Sequence, residues 1–452
     1  MPATRPDTLP ETVVVGLGAT GWSVARHLHG LGVPFRVVDS RAAPPHGDAL
    51  RQLYPEVPVH FGPWSADCFA GARCIVLSPG VSPQEPALVA ARARGAIVEG
   101  DIALFARAAR APIAAITGSN GKSTVTALLG EMARAAGLRV GVGGNLGTPA
   151  LDLLADDAEL YVLELSSFQL ETTDALNARV GAVLNLSEDH IDRHGSMKEY
   201  AACKARIFCH AQDHAAPVRV LNAEDEGVVA MAEPGAPARW FGLASERADH
   251  YRVVKRAGQH WLAAGDDPLL PVAALSLIGE HHQANALAAL AMADALGLPR
   301  DVALEALRRF RGLPHRTQLV GEFRGVRYVD DSKGTNVGAT VAALKGVPGP
   351  LVLIAGGQGK GQDFRVLRPW VAGKVRAAIL IGQDADALAA ALNGVTDLYR
   401  AVDMAEAVRL ATRQAKAGDT VLLSPACASL DMFRDYHHRG EVFAAAVREL
   451  AA

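Results

Sequence analysis

Residues 118–124 read Gly-Ser-Asn-Gly-Lys-Ser-Thr, and what flanks them leaves few folds open. The apolar run Ile113-Ala114-Ala115-Ile116 leads almost straight into Gly118. Behind the loop, Val125, Leu128, Leu129 and Met132 recur at helical spacing until Gly137. Strand, glycine-rich turn and helix in that order form a phosphate-binding loop of the α/β class. Glycines let the backbone curl until several N–H groups face one anion, and the helix N-terminus adds its positive dipole end. In such a loop Gly118, Ser119, Asn120 and Gly121 form the cradle, and Lys122 neutralises the β/γ-phosphates. The hydroxyl of Ser123 or Thr124 ligates Mg²⁺. A nucleoside triphosphate is the expected ligand, against the plainer alternative of a turn that needs glycine only for its shape.

The 452 residues exceed one ordinary domain and predict two or three. Strand-like runs alternate with helical ones almost throughout, the pattern of α/β units with parallel sheets. The first unit opens with Thr12-Val13-Val14-Val15, then Gly16-Leu17-Gly18-Ala19-Thr20-Gly21 and a helical run through Val24 and Leu28. Its second strand, Phe35-Arg36-Val37-Val38, ends in Asp39-Ser40-Arg41. This is a dinucleotide-type fingerprint, open to NAD or FAD, to another nucleotide-like ligand, or to glycine packing alone. Ser78-Pro79-Gly80 follows a further strand, Cys74-Ile75-Val76-Leu77, at the carboxyl edge where such sheets bind ligands. The first unit ends around Gly100-Asp101. Past Leu298-Pro299, the stretch Gly312-Leu313-Pro314-His315-Arg316 reads as a hinge into a third unit, with strands at 326–329, 351–355, 377–381 and 420–423.

Forty-five basic residues against 48 acidic ones, with no basic block, exclude an electrostatic case for a nucleic-acid partner. Five cysteines without a CxxC pair predict reduced thiols in a cytoplasmic protein and no structural zinc. The N-terminal Met-Pro-Ala-Thr-Arg-Pro-Asp has no apolar core of a signal peptide, and no apolar run reaches the ~18 residues of a membrane helix. Neither secretion nor membrane insertion is expected.

The chemistry gathers in the middle unit. The run Leu160-Tyr161-Val162-Leu163 predicts a buried strand ending in Glu164, where a Mg²⁺ carboxylate belongs beside a phosphate loop; a cap or a salt bridge is the alternative. A next strand over 182–186 runs into Ser187-Glu188-Asp189-His190, leaving His190 able to touch metal or substrate, or to serve structure alone. In a helix over about 197–209, Tyr200, Lys204, Ile207 and Phe208 share one face, which puts a lysine on the apolar side. Either Lys204 snorkels to solvent, or burial lowers its pKa and leaves a reactive neutral amine. A cation facing a Mg²⁺ site is repelled, so such a lysine must be altered or redirected.

Together these motifs resemble the Mur ligases, specifically their D-glutamate-adding branch, over the whole chain. The resemblance rests on Gly100-Asp101-Ile102, Thr117 through Thr124, Gly143-Gly144-Asn145-Leu146-Gly147, residues 163–171 (Leu-Glu-Leu-Ser-Ser-Phe-Gln-Leu-Glu) and Ser187-Glu188-Asp189-His190. It continues through Leu313-Pro314-His315-Arg316, Asp331-Ser332-Lys333 and residues 424–431 (Ser-Pro-Ala-Cys-Ala-Ser-Leu-Asp). It implies three α/β domains: a Rossmann-like UDP-substrate domain over 1–100, a P-loop ATPase domain with a mostly parallel sheet over 101–312, and a Rossmann-like amino-acid domain over 313–452. It further implies ATP-dependent ligation of D-glutamate to UDP-N-acetylmuramoyl-L-alanine in peptidoglycan precursor synthesis, through an acyl phosphate and a tetrahedral intermediate.

By the same resemblance Lys122, Glu164, His190 and Lys204 are catalytic. Ser123, Glu164, His190 and Lys204 as a CO₂-derived carbamate would serve two Mg²⁺ ions, and Asn285, Arg316 and Asp331 would contact adenosine. Thr20, Asp39, Ser40, Arg41, Gly80, Asn145 and Gln169 fall to the UDP-substrate. Lys333, Thr335, Lys360, Ser429, Leu430 and Tyr436 fall to D-glutamate. A monomeric cytoplasmic enzyme with small-molecule partners is implied. Three positions depart from the family's pattern: His282 for asparagine, Gly334 for alanine and Tyr436 for the frequent phenylalanine. Rival readings are the same mechanism with L-glutamate or another amino-acid acceptor, a folate-polyglutamate ligase, and a nucleotide-regulated scaffold without turnover.

Overall fold

The computed structural model describes residues 11–450 apart from 248 and 278. Three sheets follow one another along the chain. The first contains β1 (Thr12–Val15), β2 (Phe35–Asp39), β3 (Val59–Phe61), β4 (Cys74–Leu77) and β5 (Ile97–Gly100), all parallel, in the order β3-β2-β1-β4-β5. Strand order reverses between β1 and β4, so a crevice opens beyond their carboxyl ends.

The second sheet holds β6 (Ile113–Thr117), β7 (Val140–Gly144), β8 (Leu160–Glu164), β9 (Val180–Val183), β10 (Val218–Asn222) and β11 (Ala238–Phe241). It is extended by β12 (Tyr251–Arg256), β13 (Gln259–Ala264) and β14 (Asp267–Pro271), in the order β14-β13-β12-β11-β10-β9-β6-β8-β7. Its strands are parallel up to β12, and β12-β13-β14 form an antiparallel meander. The helices Lys122–Ala135 and Glu280–Leu296 cover one face, burying Val125, Leu128, Leu129 and Met132 against Leu287, Leu290 and the sheet. The third sheet comprises β15 (Gln318–Phe323), β16 (Val326–Asp330), β17 (Leu351–Gly356), β18 (Val375–Ile381), β19 (Asp397–Arg400) and β20 (Thr420–Leu423). Their order is β15-β16-β20-β17-β18-β19, with β15 the antiparallel edge.

The expected α/β class and mostly parallel sheets are therefore present, with local differences. The strand expected over 182–186 ends at Val183: Leu184 still donates to the Thr117 carbonyl of β6, but Asn185 and Leu186 leave the ladder to brace neighbouring loops. The helix expected over 197–209 is α-helical over Met197–Ala205 and tightens to a 3₁₀ turn over Arg206–Phe208. Apolar packing joins the first two sheets: one cluster contains Val14 and Leu17 together with Phe105, Ile113 and Tyr161. Among the described residues, the clusters under the third sheet contain only its own residues.

Candidate active site

The phosphate loop leaves β6 with Gly118 at φ +147° and Gly121 at φ +84°, backbone that L side chains avoid. A Cβ at Gly121 would also run into the Asn285 side chain. The segment after β9 holds the loop in place. Asn185 accepts from the Asn120 N–H through Oδ1 at 2.8 Å and returns Nδ2 to the Asn120 carbonyl at 3.1 Å. Lys122 Nζ lies over the loop, donating to the Gly118 and Ser119 carbonyls at 2.8 and 2.9 Å. Burial lowers its pKa, a pull opposed by the Glu164 and Asp189 carboxylates.

Glu164, at the end of β8, is 3% exposed. Its Oε1 accepts the Asn145 amide at 2.7 Å, whereas its buried Oε2 has no partner. Burial pushes its pKa up, but Lys122, then the Ser123 hydroxyl, Asn145 and Arg316 outweigh that and hold the carboxyl below its usual range. A buried anionic oxygen without a donor fits a cation, so the Mg²⁺ expected here has a ligand atom waiting. Lys204 is 1% exposed and does not snorkel. Its amine donates to the Gly118 carbonyl at 2.9 Å and lies 4.6 Å from the Tyr200 ring centroid. Burial first, and Lys122 second, push its pKa well below the usual lysine value. His190 sits at φ +55° with Nε2 3.6 Å from Asp189 Oδ1, and burial lowers its pKa, favouring the neutral imidazole that ligates metals. Among the described residues no three His, Cys, Asp or Glu side chains converge as a ready metal set.

A cavity of about 260 Å³ lies between the phosphate loop and the third sheet's unit, lined by Asn120, Gly121, Thr124, Asn285, Arg316, Asp331 and Lys333 among others. Arg316 crosses it to donate to Ser123 Oγ at 2.7 Å. Asp331 accepts Ser424 Oγ at 2.7 Å, and burial pushes its pKa up to about 7. His282 also lines the cavity; it is buried, and neither ring nitrogen has a partner.

A second cavity, of about 490 Å³, opens at the carboxyl ends of β1 and β4. It gathers Thr20, Asp39, Ser40, Arg41, Gly80, Asn145 and Gln169, which lie far apart in sequence, together with Trp64, which no sequence motif singles out. Asp39 is largely committed within the protein. It accepts the Leu17 N–H at 2.6 Å and the Arg41 side chain at 2.6 and 2.9 Å.

In the third unit Lys333 Nζ stands 3.9 Å from the Tyr436 ring centroid, and burial pushes it down to about 8. Lys360, at φ +54°, reaches 3.8 Å from Asp189 Oδ1. Thr335 is half-buried and Ser429 buried, while Leu430 is 68% exposed. Two residues in the same region escape the sequence reading as site candidates: Asp189, and Asn336, which bonds both Asn120 and Asp189. Asp189 stands in the Ser187-Glu188-Asp189-His190 motif without drawing a role of its own, and nothing local marks Asn336; the meeting of units brings the two together.

Family models match three consecutive stretches: the Mur ligase MurD-like N-terminal domain over 10–100, the Mur ligase middle domain over 116–293, and the Mur ligase glutamate ligase domain over 315–427. The chain belongs to the Mur ligase family. Among the relatives of this Mur ligase is a UDP-N-acetylmuramoylalanine–D-glutamate ligase of Pseudomonas aeruginosa. It is 53% identical over 443 residues, covering 97% of this chain and 98% of the relative. An enzyme of the same name from Methylobacillus flagellatus is 52% identical over 444 residues, covering 97% of each. The fold is shared with the UDP-N-acetylmuramate-alanine ligase MurC of Thermotoga maritima. That match has a TM-score of 0.59 at 19% identity, over 97% of this chain and 99% of that one.

Proposed function

We propose that this Mur ligase uses ATP to join D-glutamate to UDP-N-acetylmuramoyl-L-alanine, releasing ADP and phosphate. Half the residues are shared with enzymes of that name over nearly the whole chain, which favours D-glutamate over another acceptor. The observation that carries the chemistry is the position of Asn145. It lines the cleft at the first sheet, and its amide bonds Glu164 beside the phosphate loop. A UDP-sugar held by its nucleotide near Thr20 and Ser40 therefore points its acyl end toward the loop.

A carboxylate is a poor acylating agent, so the alanyl carboxylate is first phosphorylated by ATP, and the amine of D-glutamate then displaces phosphate through a tetrahedral intermediate. Gly118 through Thr124 cradle the triphosphate, Lys122 neutralises it, and Asn285, Arg316 and Asp331 hold the nucleoside. Ser123, Glu164 and His190 are the residues that would hold Mg²⁺, which would supply charge neutralisation at the transferring phosphoryl group. Lys333, Thr335, Lys360, Ser429, Leu430 and Tyr436 form the acceptor side, where lysines meet carboxylates.

Lys204 completes the site as a carbamate. Its neutral amine attacks CO₂, a proton leaves, and a carboxylate stands where an ammonium would repel metal. Its burial and lowered pKa support this. We take the units to run over 1–100, 101–312 and 313–452, and the enzyme to act as a cytoplasmic monomer. No helix among the described residues is long and apolar enough to cross a membrane. Phosphate release with Mg²⁺, ATP and UDP-N-acetylmuramoyl-L-alanine tests the reading. Release with D-glutamate and none with L-glutamate is expected. Release with L-glutamate alone would keep the mechanism and change the acceptor.

A further inference from the structure

We propose that Asn336 is a positioning residue that clasps the C-terminal unit onto the phosphate loop and so sets the acceptor site against bound ATP. Its side chain is 3% exposed and works in two directions. Oδ1 caps the helix Val337–Gly346 by accepting the Ala339 N–H at 2.8 Å. Nδ2 donates to Asp189 Oδ2 at 3.2 Å and to Asn120 Oδ1 at 3.3 Å, and Asn120 Nδ2 lies 3.4 Å from Asn336 Oδ1 in return. Those partners are 147 and 216 residues away, one beside His190 and the other inside the phosphate loop.

The contact is placed to transmit. Asn336 directly follows Thr335 and stands three residues after Lys333, so whatever fixes it fixes the acceptor segment. On the same carboxylate, Asp189 Oδ1 is buried without a hydrogen-bond partner and has Lys360 Nζ at 3.8 Å. Asp189 thus receives two groups of the C-terminal unit, one amide and one ammonium. An amide is what the position needs: its oxygen caps the helix while its nitrogen supplies the donor that a carboxylate requires. Aspartate caps as well but cannot donate, and facing Asp189 it repels. No buried apolar cluster spans this unit and the central one, so polar contacts of this kind act beside the packing of the helices Val337–Gly346 and Glu280–Leu296 in defining its closed position.

The inference rests on the proposed loading of ATP at the loop and D-glutamate at the C-terminal unit. It is tested in the full-length enzyme with Asn336→Asp, Asp189→Asn and the double variant. Asn336→Asp keeps the cap, and its repulsion from Asp189 is relieved by opening of the C-terminal unit, so the variant still folds and its binding can be measured. Its KM for D-glutamate is expected to rise about tenfold or more, while binding of a fluorescent ATP analogue changes less than about threefold. The double variant exchanges the two groups, so that the amide, now at position 189, can donate to the carboxylate, now at position 336. Much of the loss is expected to return. An unchanged KM in Asn336→Asp, or effects that simply add in the double variant, would overturn the clasp. Wild-type protein that turns over no D-glutamate would defeat the site reading instead. The clasp is then judged by small-angle scattering of the same variants: contraction with an ATP analogue in wild type and not in Asn336→Asp upholds it, and equal behaviour overturns it.

Discussion

At the scale of single residues, Lys204 shows how far chemistry can be argued from one position. Its place on the apolar helix face beside Tyr200 and Ile207 is visible in the spacing, and the structure removes the snorkelling alternative by burying it to 1% exposure. Desolvation then favours a neutral amine or a modified one, since the Gly118 carbonyl and the Tyr200 ring offset only part of the cost of an ammonium this deep. If a carbamate stands there, Lys204→Ala lowers turnover by about 10- to 100-fold, the scale seen when metal-supporting groups are lost. Added acetate restores part of it by supplying the missing carboxylate. Steady-state rates with and without acetate check this. A folded Lys204→Ala protein indifferent to acetate would leave the carboxylate at this position without support. Other residues are not legible in this way. His282 stands out in the sequence as a departure, but that both its nitrogens lack partners in a cavity wall is a fact of packing.

At the scale of elements, the helix Asp101–Ala108 carries a buried carboxyl at its first residue, 2% exposed. Burial raises Asp101 from 3.8 to about 6, because the Gln169 amide and the helix N–H groups compensate incompletely, and Oδ1 has no partner. The sign follows from the raised value. The contribution to stability is full below pH 3.8 and is lost as pH rises through about 6, where the folded state must carry a buried anion. Asp101→Asn keeps the shape and removes the ionisation. It should match wild type near pH 4 and exceed it by up to about 3 kcal/mol at pH ~7.5. Urea denaturation at the two pH values measures this, and an equal advantage at both would refute it.

Elements with strong local signals are legible: the valine run of β1, the alanine-rich β6, and the helix behind the loop with its apolar stripe. The strand end at Val183 shows the limit. An apolar run says where a chain can be buried, but the bonds from Asn185 to Asn120 decide where the ladder stops. The meander β12-β13-β14 escapes a sequence reading because its exposed and half-buried strands, such as Tyr251–Arg256, lack a clean alternation. Contacts across units are illegible for a different reason: no local pattern marks a pair such as Asn336 and Asp189, 147 residues apart.

For the whole molecule, the three sheets are not joined in the same way. The first and second share an apolar cluster that runs from Val14 and Leu17 of the first to Ile113 and Tyr161 of the second. Gly100 is packed so closely on Thr172 that a Cβ there would collide with its hydroxyl. The third unit meets the second through polar contacts, Arg316 to Ser123, Asn336 to Asn120 and Asp189 and Lys360 near Asp189, and through the packing of the helix Val337–Gly346 on Glu280–Leu296, where Gly346 lies against Gly279. Separating polar contacts into water costs little, because each group exchanges one partner for another, whereas parting an apolar cluster exposes area at about 25 cal/mol per Å². Rotation about the segment at Gly312, which has φ +87°, is therefore the cheaper motion, and a movement at Gly100 the stiffer one. Bound nucleotide would bridge the two sides of the cavity between the second and third units and draw them together. Small-angle scattering should show the radius of gyration falling when an ATP analogue and the UDP-sugar are added together. Most of that fall should come with the nucleotide, because it binds at the polar junction. A contraction produced by the UDP-sugar alone would place the principal motion at Gly100 instead, and no contraction with either would count against closure altogether.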